Sequence, residues 1–133
     1  MPGELKKGVA RMVQEARERI EQIDAAAAIA MHGDPGVVIV DLRDVRERQR
    51  EGSIPGSFHC PRGMVEFWVD PQSPYFKEIF AREARFVFHC ASGWRSALTV
   101  ATLQDMGFEN CAHITHGFTS WREAGGPLEF PEN

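Results

Sequence analysis

Apolar residues near the start of the chain recur at steps of three and four: Leu5, Val9, Met12, Val13, Ala16, Ile20 and Ile23. Arg11, Glu15, Glu18, Arg19 and Gln22 lie mainly on the opposite side. This spacing predicts an amphipathic helix over residues 5–23. Such a stripe serves either to dock the helix on a core or to pair it with a partner or a second copy in a homodimer. Asp24 then reads as an N-cap for a short helix over Ala25 to Met31. A Gly33-Asp34-Pro35-Gly36 turn follows.

Beyond the turn the pattern changes period. Val37-Val38-Ile39-Val40 is a continuous β-branched run, as expected of a strand covered on both faces. Phe86-Val87-Phe88-His89-Cys90 reads as a second buried strand and Cys111 to Ile114 as a third. Between them, Asp44 to Glu51 is charged and helical in character, and Gly52 to Gly56 is a loop. Ser57 to Cys60 reads as a short strand. Helices are predicted over Gly63 to Val69 and Tyr75 to Arg82, on either side of Pro71 and Pro74. Another helix runs from Gly93-Trp94-Arg95-Ser96 to about Met106 and is stopped by Gly107. The last spans about Phe118 to Ala124 and ends at Gly125-Gly126-Pro127. Strands alternating with helices define an α/β domain with a mostly parallel sheet. The division expected is an N-terminal helix over 1–21 and one domain over 22–133.

Composition narrows the function classes. The 133 residues are 43% hydrophobic and 26% charged, which suits one globular domain. A net charge of −4 gives no electrostatic case for nucleic acid or for an anionic membrane. The three cysteines, Cys60, Cys90 and Cys111, are an odd count with no close pair. They argue against a disulfide framework and against structural zinc, and no metal or other cofactor is expected. His59-Cys60 and His89-Cys90 lie too far apart for an ordinary pair of metal-ligand motifs. The charged N-terminus lacks the apolar stretch of a signal peptide, and no apolar run is long enough to span a bilayer. A cytoplasmic location is the expectation.

The chemistry concentrates at Cys90. It stands at the carboxyl end of a predicted strand, where ligands bind in open α/β sheets. A short loop containing Gly93 leads directly into a helix. Backbone N–H groups there lack intrahelical partners and can form an anion-binding nest, aided by the helix dipole. A cysteine in that setting is expected to ionise readily. The bland alternative is an inert, buried strand-end cysteine, with Arg95 a surface cation and Trp94 packed over the helix start.

These residues resemble the rhodanese homology domain over roughly residues 22–130. Val38-Ile39-Val40-Asp41-Leu42-Arg43 is similar to its apolar strand ending in Asp-x-Arg, with Glu47 matching a later acidic position. Gly52-Ser53-Ile54-Pro55-Gly56-Ser57 resembles its Gly-His-Ile-Pro-Gly-Ala turn, with Ser53 and Ser57 as departures. His89-Cys90-Ala91-Ser92-Gly93-Trp94-Arg95-Ser96 resembles the active-site loop. His116-Gly117-Phe118-Thr119-Ser120-Trp121 and Gly125-Gly126-Pro127 resemble the closing signature, with His116 in place of a glycine. The resemblance implies a five-stranded parallel sheet with helices on both faces. It also implies a sulfurtransferase in which Cys90 carries a persulfide. Sulfur would come from a small donor, thiosulfate or a persulfide, and pass to cyanide, a thiol or a sulfur-acceptor protein. Ala91, Ser92, Gly93, Trp94, Arg95 and Ser96 would line the substrate site.

The loop from Cys90 to Arg95 holds six residues. That is the sulfurtransferase length. Phosphatases and arsenate reductases of this fold use a loop one residue longer, so they form a weaker alternative. A regulatory module or a sulfur carrier is a non-enzymatic one. Ala91 and Ser92 stand where thiosulfate-using relatives carry cations, which makes thiosulfate a poor donor by expectation. Arg95, Arg43 and Arg62 are the candidates for the missing charge, and a solvated arginine is the default for Arg62. Asp41 and Arg43 read better as a pair bracing the loop, with Glu47 as further structural support. Cys60 is either a resolving thiol or core, and Cys111 is core. His89, by strand alternation, points away from the Cys90 side chain. The Phe67-Trp68 and Tyr75-Phe76 aromatics read as a hydrophobic cover near the pocket or, by preference, as core.

Overall fold

A computed structural model describes residues 3–131, so the outermost residues of the two expected segments lie outside the described part. The elements in chain order are α1 (Val9–Arg19), β1 (Glu21–Ile23), α2 (Ala25–Met31), β2 (Val37–Asp41), α3 (Val45–Glu51) and β3 (Phe58–His59). Then come a 3-10 turn (Arg62–Met64), α4 (Val65–Val69), a second 3-10 turn (Glu78–Ala81), β4 (Arg85–His89), α5 (Trp94–Asp105), β5 (Cys111–Ile114) and α6 (Gly117–Glu123). The five strands form one sheet in the order β1-β5-β4-β2-β3, and every pairing is parallel.

Strand alternation divides the core into two layers. Val38, Val40, Phe86, Phe88 and Cys111 face α4 and α5, where Val65, Val69, Val100 and Leu103 meet them. Ile39, Val87 and Ile114 face α2 and α6, meeting Ala28, Phe118 and Trp121. Parallel strands buried on both faces explain the unbroken apolar runs of β2 and β4. Local signals set several boundaries. The Asp24 carboxylate accepts from Ala27 N at 2.8 Å and caps α2. Asp44 and Glu47 close a reciprocal capping box at the start of α3.

Two expectations are corrected. The N-terminal helix is shorter than residues 5–23: it ends at Arg19, and Glu21–Ile23 become the edge strand β1. The free edge of β5 offers unpaired backbone groups, and residues 21–23 satisfy them, overriding the helical periodicity. Only the middle of the predicted stripe is buried: Val13 and Ala16 pack on Ala97 and Ala101 of α5, whereas Leu5, Val9 and Met12 remain exposed. The second correction concerns Tyr75 to Arg82, where only the 3-10 turn at Glu78–Ala81 forms. Lys77 is extended and donates its N–H to Trp68 O at 2.9 Å, which breaks any helix at that point.

Trp121 fastens the second layer. It is fully buried, donates Nε1–H to Pro127 O at 2.8 Å, and lies against Gly126, where an added Cβ would sit 2.4 Å from the ring. Trp121→Ala should lower the free energy of unfolding in urea by about 3–5 kcal/mol, the range for emptying a large aromatic site. A loss under about 1 kcal/mol would show that α6 contributes little to the core.

Candidate active site

Cys90 follows β4 directly, and its chain continues through Ala91-Ser92-Gly93 into α5. Cys90 is almost wholly covered, at 1% relative exposure. Two backbone donors point at its sulfur: Gly93 N at 3.2 Å and Ser96 N at 3.4 Å. The Ser96 hydroxyl lies 3.6 Å away. These are the unsatisfied amides of a helix start turned onto one atom, a setting that favours negative charge. Gly93 makes the turn possible. Its φ is +102°, and a Cβ there would stand 2.1 Å from Thr115 O. The loop is tied from outside as well: Phe118 N donates to Cys90 O at 2.8 Å and Thr119 N to Ala91 O at 3.1 Å. Gly117, at φ +62°, permits that contact, since a Cβ would lie 2.5 Å from Cys90 O.

The candidate loop residues therefore gather around one sulfur. Gly93 and Ser96 supply donors, whereas Ser92 and Trp94 are exposed at the rim. The candidate cations are placed differently. Arg95 is held by Glu47 through two parallel bonds, Nη1 to Oε1 at 2.8 Å and Nη2 to Oε2 at 3.0 Å. The Arg95 guanidinium, through these bonds, holds the Glu47 carboxyl below the usual range. Arg43 is buried and stands away from the sulfur. Its Nε and Nη2 grip Asp41 at 3.0 and 2.9 Å, Nη2 also reaches Gly52 O at 2.8 Å, and the guanidinium lies 4.1 Å over the Phe118 ring. Nε and Nη2 are thus both spent inside the protein, which supports a bracing role over a substrate one. Arg62 pairs with Glu66 at 2.8 Å and lines a groove against α1.

Asp41 is the hub of a buried polar cluster. Besides Arg43, it receives Arg48 Nη1 at 2.8 Å. His89, its register partner on β4, stands 3.8 Å from the carboxylate and stacks near Phe118. Burial opposes the Asp41 charge, but electrostatic attraction from His89 and the hydrogen bonds and charge of Arg43 outweigh it and leave the carboxyl far below its ordinary range. Burial likewise pushes Cys60 up to about 12 and Cys111 up to about 11. Both thiols are core residues, and the Cys60 value runs against use as a resolving nucleophile.

Three contributors were not singled out from the sequence. His113 of β5 sits beside Phe88 in register, on the α5 face. Its Nδ1 is 2.8 Å from Ser96 Oγ, and its Nε2 is 2.9 Å from Gln22 Oε1. Arg17 of α1 donates to Thr115 O at 3.2 Å and stands beside Gly93. The alternation Cys111-Ala112-His113 carried a weak signal for His113, but only the strand order makes it a neighbour of the Cys90 loop. Arg17 and Gln22 carried none, because their placement depends on where α1 stops.

A parallel five-stranded α/β sheet with a cysteine cradled between strand and helix defines the class, and the family follows from sequence. The rhodanese-like domain pattern matches residues 24–124, and the chain belongs to that family. It is 56% identical to a Rhodopseudomonas palustris protein of unknown function, a possible tyrosine phosphatase, with 97% of this chain and 99% of that one covered and a TM-score of 0.94. A rhodanese-related protein of Thermoplasma volcanium is 26% identical, covering 84% of this chain and 99% of that one, at a TM-score of 0.68. The mouse thiosulfate sulfurtransferase/rhodanese-like domain-containing protein 3 is 29% identical over 90 residues, 64% of this chain, and the match spans 57% of the mouse protein's length.

His113 yields a pH prediction. Burial, aided by Arg17 and His116, lowers it from 6.5 to about 4. Between those values the unfolded chain binds a proton that the folded protein refuses. The stability His113 provides is therefore complete above pH 6.5 and is lost as the pH falls towards about 4. The loss should reach roughly 3 kcal/mol. Urea melts at about pH 7, 5.5 and 4.5, which span that window, check this. His113→Gln should flatten the slope but not abolish it, because burial lowers His89 too. An unchanged slope would mean His113 is not held neutral.

Proposed function

We propose that the protein is a sulfurtransferase that carries sulfane sulfur as a persulfide on Cys90. The observation that supports this most is the convergence of Gly93 N and Ser96 N on Sγ within a six-residue loop. Donors fixed on sulfur stabilise a thiolate and then a persulfide anion without any reorganisation. The Cys90 thiolate attacks the outer sulfur of the donor. A new S–S bond forms, the donor's S–S bond breaks, and the leaving group departs with the electron pair. A thiolate or cyanide acceptor then takes the outer sulfur, and Cys90 leaves as thiolate. This is covalent catalysis by double displacement.

The charge around the loop bears on the donor. Ala91 and Ser92 carry none, and Glu47 neutralises Arg95. A dianion such as thiosulfate finds little positive charge beyond Arg17 at the loop rim, so a thiol persulfide, from a small molecule or a protein, is the better donor. The R. palustris protein's description as a possible tyrosine phosphatase gives a second reading, phosphoryl transfer through the same cysteine. The short loop weighs against it, because a tetrahedral oxyanion needs a wider cradle.

Intact mass after incubation with a persulfide donor tests the reading. Wild type should gain one sulfur, reversibly with cyanide or thiol, and Cys90→Ser should gain none. No adduct on wild type, together with hydrolysis of an aryl phosphate, would replace sulfur transfer by the phosphatase reading. A second outcome concerns charge. Glu47→Gln keeps the capping box, which accepts Gln equally, but frees the Arg95 charge. Its KM for thiosulfate should fall about three- to tenfold, the scale of one partly exposed ion pair. An unchanged KM would remove Arg95 from donor binding.

A further inference from the structure

The cations around the Cys90 loop are not all neutralised. Arg43 and Arg48 are spent on Asp41, and Arg95 on Glu47. Arg17 pairs with no carboxylate among the described residues. Its Nη2 donates to the Thr115 carbonyl at 3.2 Å, and its Nε is buried without a hydrogen bond. Nη2 also stands 3.1 Å from the place a Cβ on Gly93 would take. Gly93 in turn points its N–H at Sγ from 3.2 Å. A single glycine therefore separates the guanidinium from the sulfur. Arg17 comes from the last turn of α1, outside the residues 24–124 that match the family pattern.

Arg17 also lines an open cleft of about 360 Å³ between α1 and Trp94. The cleft abuts the Cys90 loop, since Trp94 follows Gly93 directly. Its walls are of two kinds. Trp94, Ala10 and Val13 are apolar, and Trp94 is 45% exposed. Arg17 brings positive charge; Glu18 shares the wall but is exposed and forms no ion pair with it. Apolar walls with one charged group that fixes orientation suit a short carbon stem ending in an anion. Thiosulfate has no such stem. We propose that Arg17 anchors the carboxylate of a small thiol that exchanges sulfur with Cys90, with the carbon stem of that thiol lying along Trp94.

The inference rests on the sulfurtransferase reading and names its thiol partner. One anchor serves both halves of the reaction. The thiolate that leaves after loading Cys90 and the thiolate that arrives to unload it stand in the same place, because persulfide exchange passes through the same line of three sulfurs in either direction. In unloading, the acceptor sulfur bonds the outer sulfur, the bond from Sγ breaks, and Cys90 keeps the electron pair. The outer sulfur stands about 2 Å beyond Sγ, so the acceptor need not touch the covered Sγ itself.

The test uses the full chain loaded with inorganic polysulfide and unloaded by N-acetylcysteine or by its primary amide, which lacks the carboxylate. Intact mass follows the loss of the added sulfur, with rates expressed per thiolate. In wild type the rate ratio of acid to amide should fall about threefold or more between about 0.01 and about 1 M salt, as the screening length drops from about 30 to about 3 Å. A flat or rising ratio overturns the anchor, because the net charge of −4 alone repels the acid and screening would relieve that repulsion. Arg17→Gln keeps a donor for Thr115 but removes the charge, and should lower the ratio about five- to tenfold at low salt. Arg17→Lys should retain most of the preference. An unchanged ratio in Arg17→Gln, or equal loss in both variants, overturns the anchor as well. If Arg17→Gln does not fold, the salt series on wild type decides alone. Failure of Cys90 to load overturns the sulfurtransferase reading and the anchor with it, whereas a loaded protein whose unloading ignores the acceptor's charge overturns the anchor only.

Discussion

The buried Asp41 carboxylate holds together the parts that shape the Cys90 loop. Both oxygens are occupied by guanidinium groups, Arg43 at 2.9 and 3.0 Å and Arg48 at 2.8 Å. A charge in the interior is tolerable only when paired and hydrogen-bonded in this way. The consequences spread along the partners. Arg43 reaches Gly52 O and stacks on Phe118. Phe118, in turn, places its N–H on Cys90 O. The end of β2, the start of α6 and the Cys90 loop are thereby fixed relative to one another. Removing one partner of such a cluster costs more than the pair itself contributes, because the remaining charge is stranded.

The same arrangement explains why the site is short of free cations. Of the arginines around the loop, Arg43 is committed to Asp41 and Arg95 to Glu47, whereas Arg17 bonds the Thr115 carbonyl at the rim. The positive potential at Sγ comes instead from the backbone amides of Gly93 and Ser96 and from the α5 dipole. Amides complement one sulfur anion well. They offer less to a dianionic oxyacid, and this is the physical basis for favouring persulfide donors over thiosulfate or phosphate esters.

The edge strand and the helix before it bind fold to site. β1 covers the free edge of β5, and α1 lies on α5 through Val13, Ala16, Ala97 and Ala101. Small residues at that contact let the helices approach closely. Arg17 is thereby carried to the rim of the Cys90 loop, and Gln22 is set against His113. A segment that reads as an appendage to the domain thus supplies part of the environment of Cys90.

The sequence by itself determined the α/β class, strands around Val37 to Val40, Phe86 to Cys90 and Cys111 to Ile114, and the strand–loop–helix at Cys90. Those features are local: buried parallel strands advertise themselves as apolar runs, and Gly93 and Gly107 punctuate the helix between them. The family motifs added the five-stranded sheet and placed Asp41 with Arg43. What only the tertiary structure decided was non-local. The end of α1 depends on an open strand edge about ninety residues away in the chain, from Gln22 to His113. Whether Arg43, Arg95 or Arg62 is free depends on carboxylates that reach it through packing, and arginine alone reads the same paired or unpaired. The Ser96–His113–Gln22 chain joins three elements whose order in the sheet is not written in their periodicity, so its members became neighbours only when β1 closed against β5.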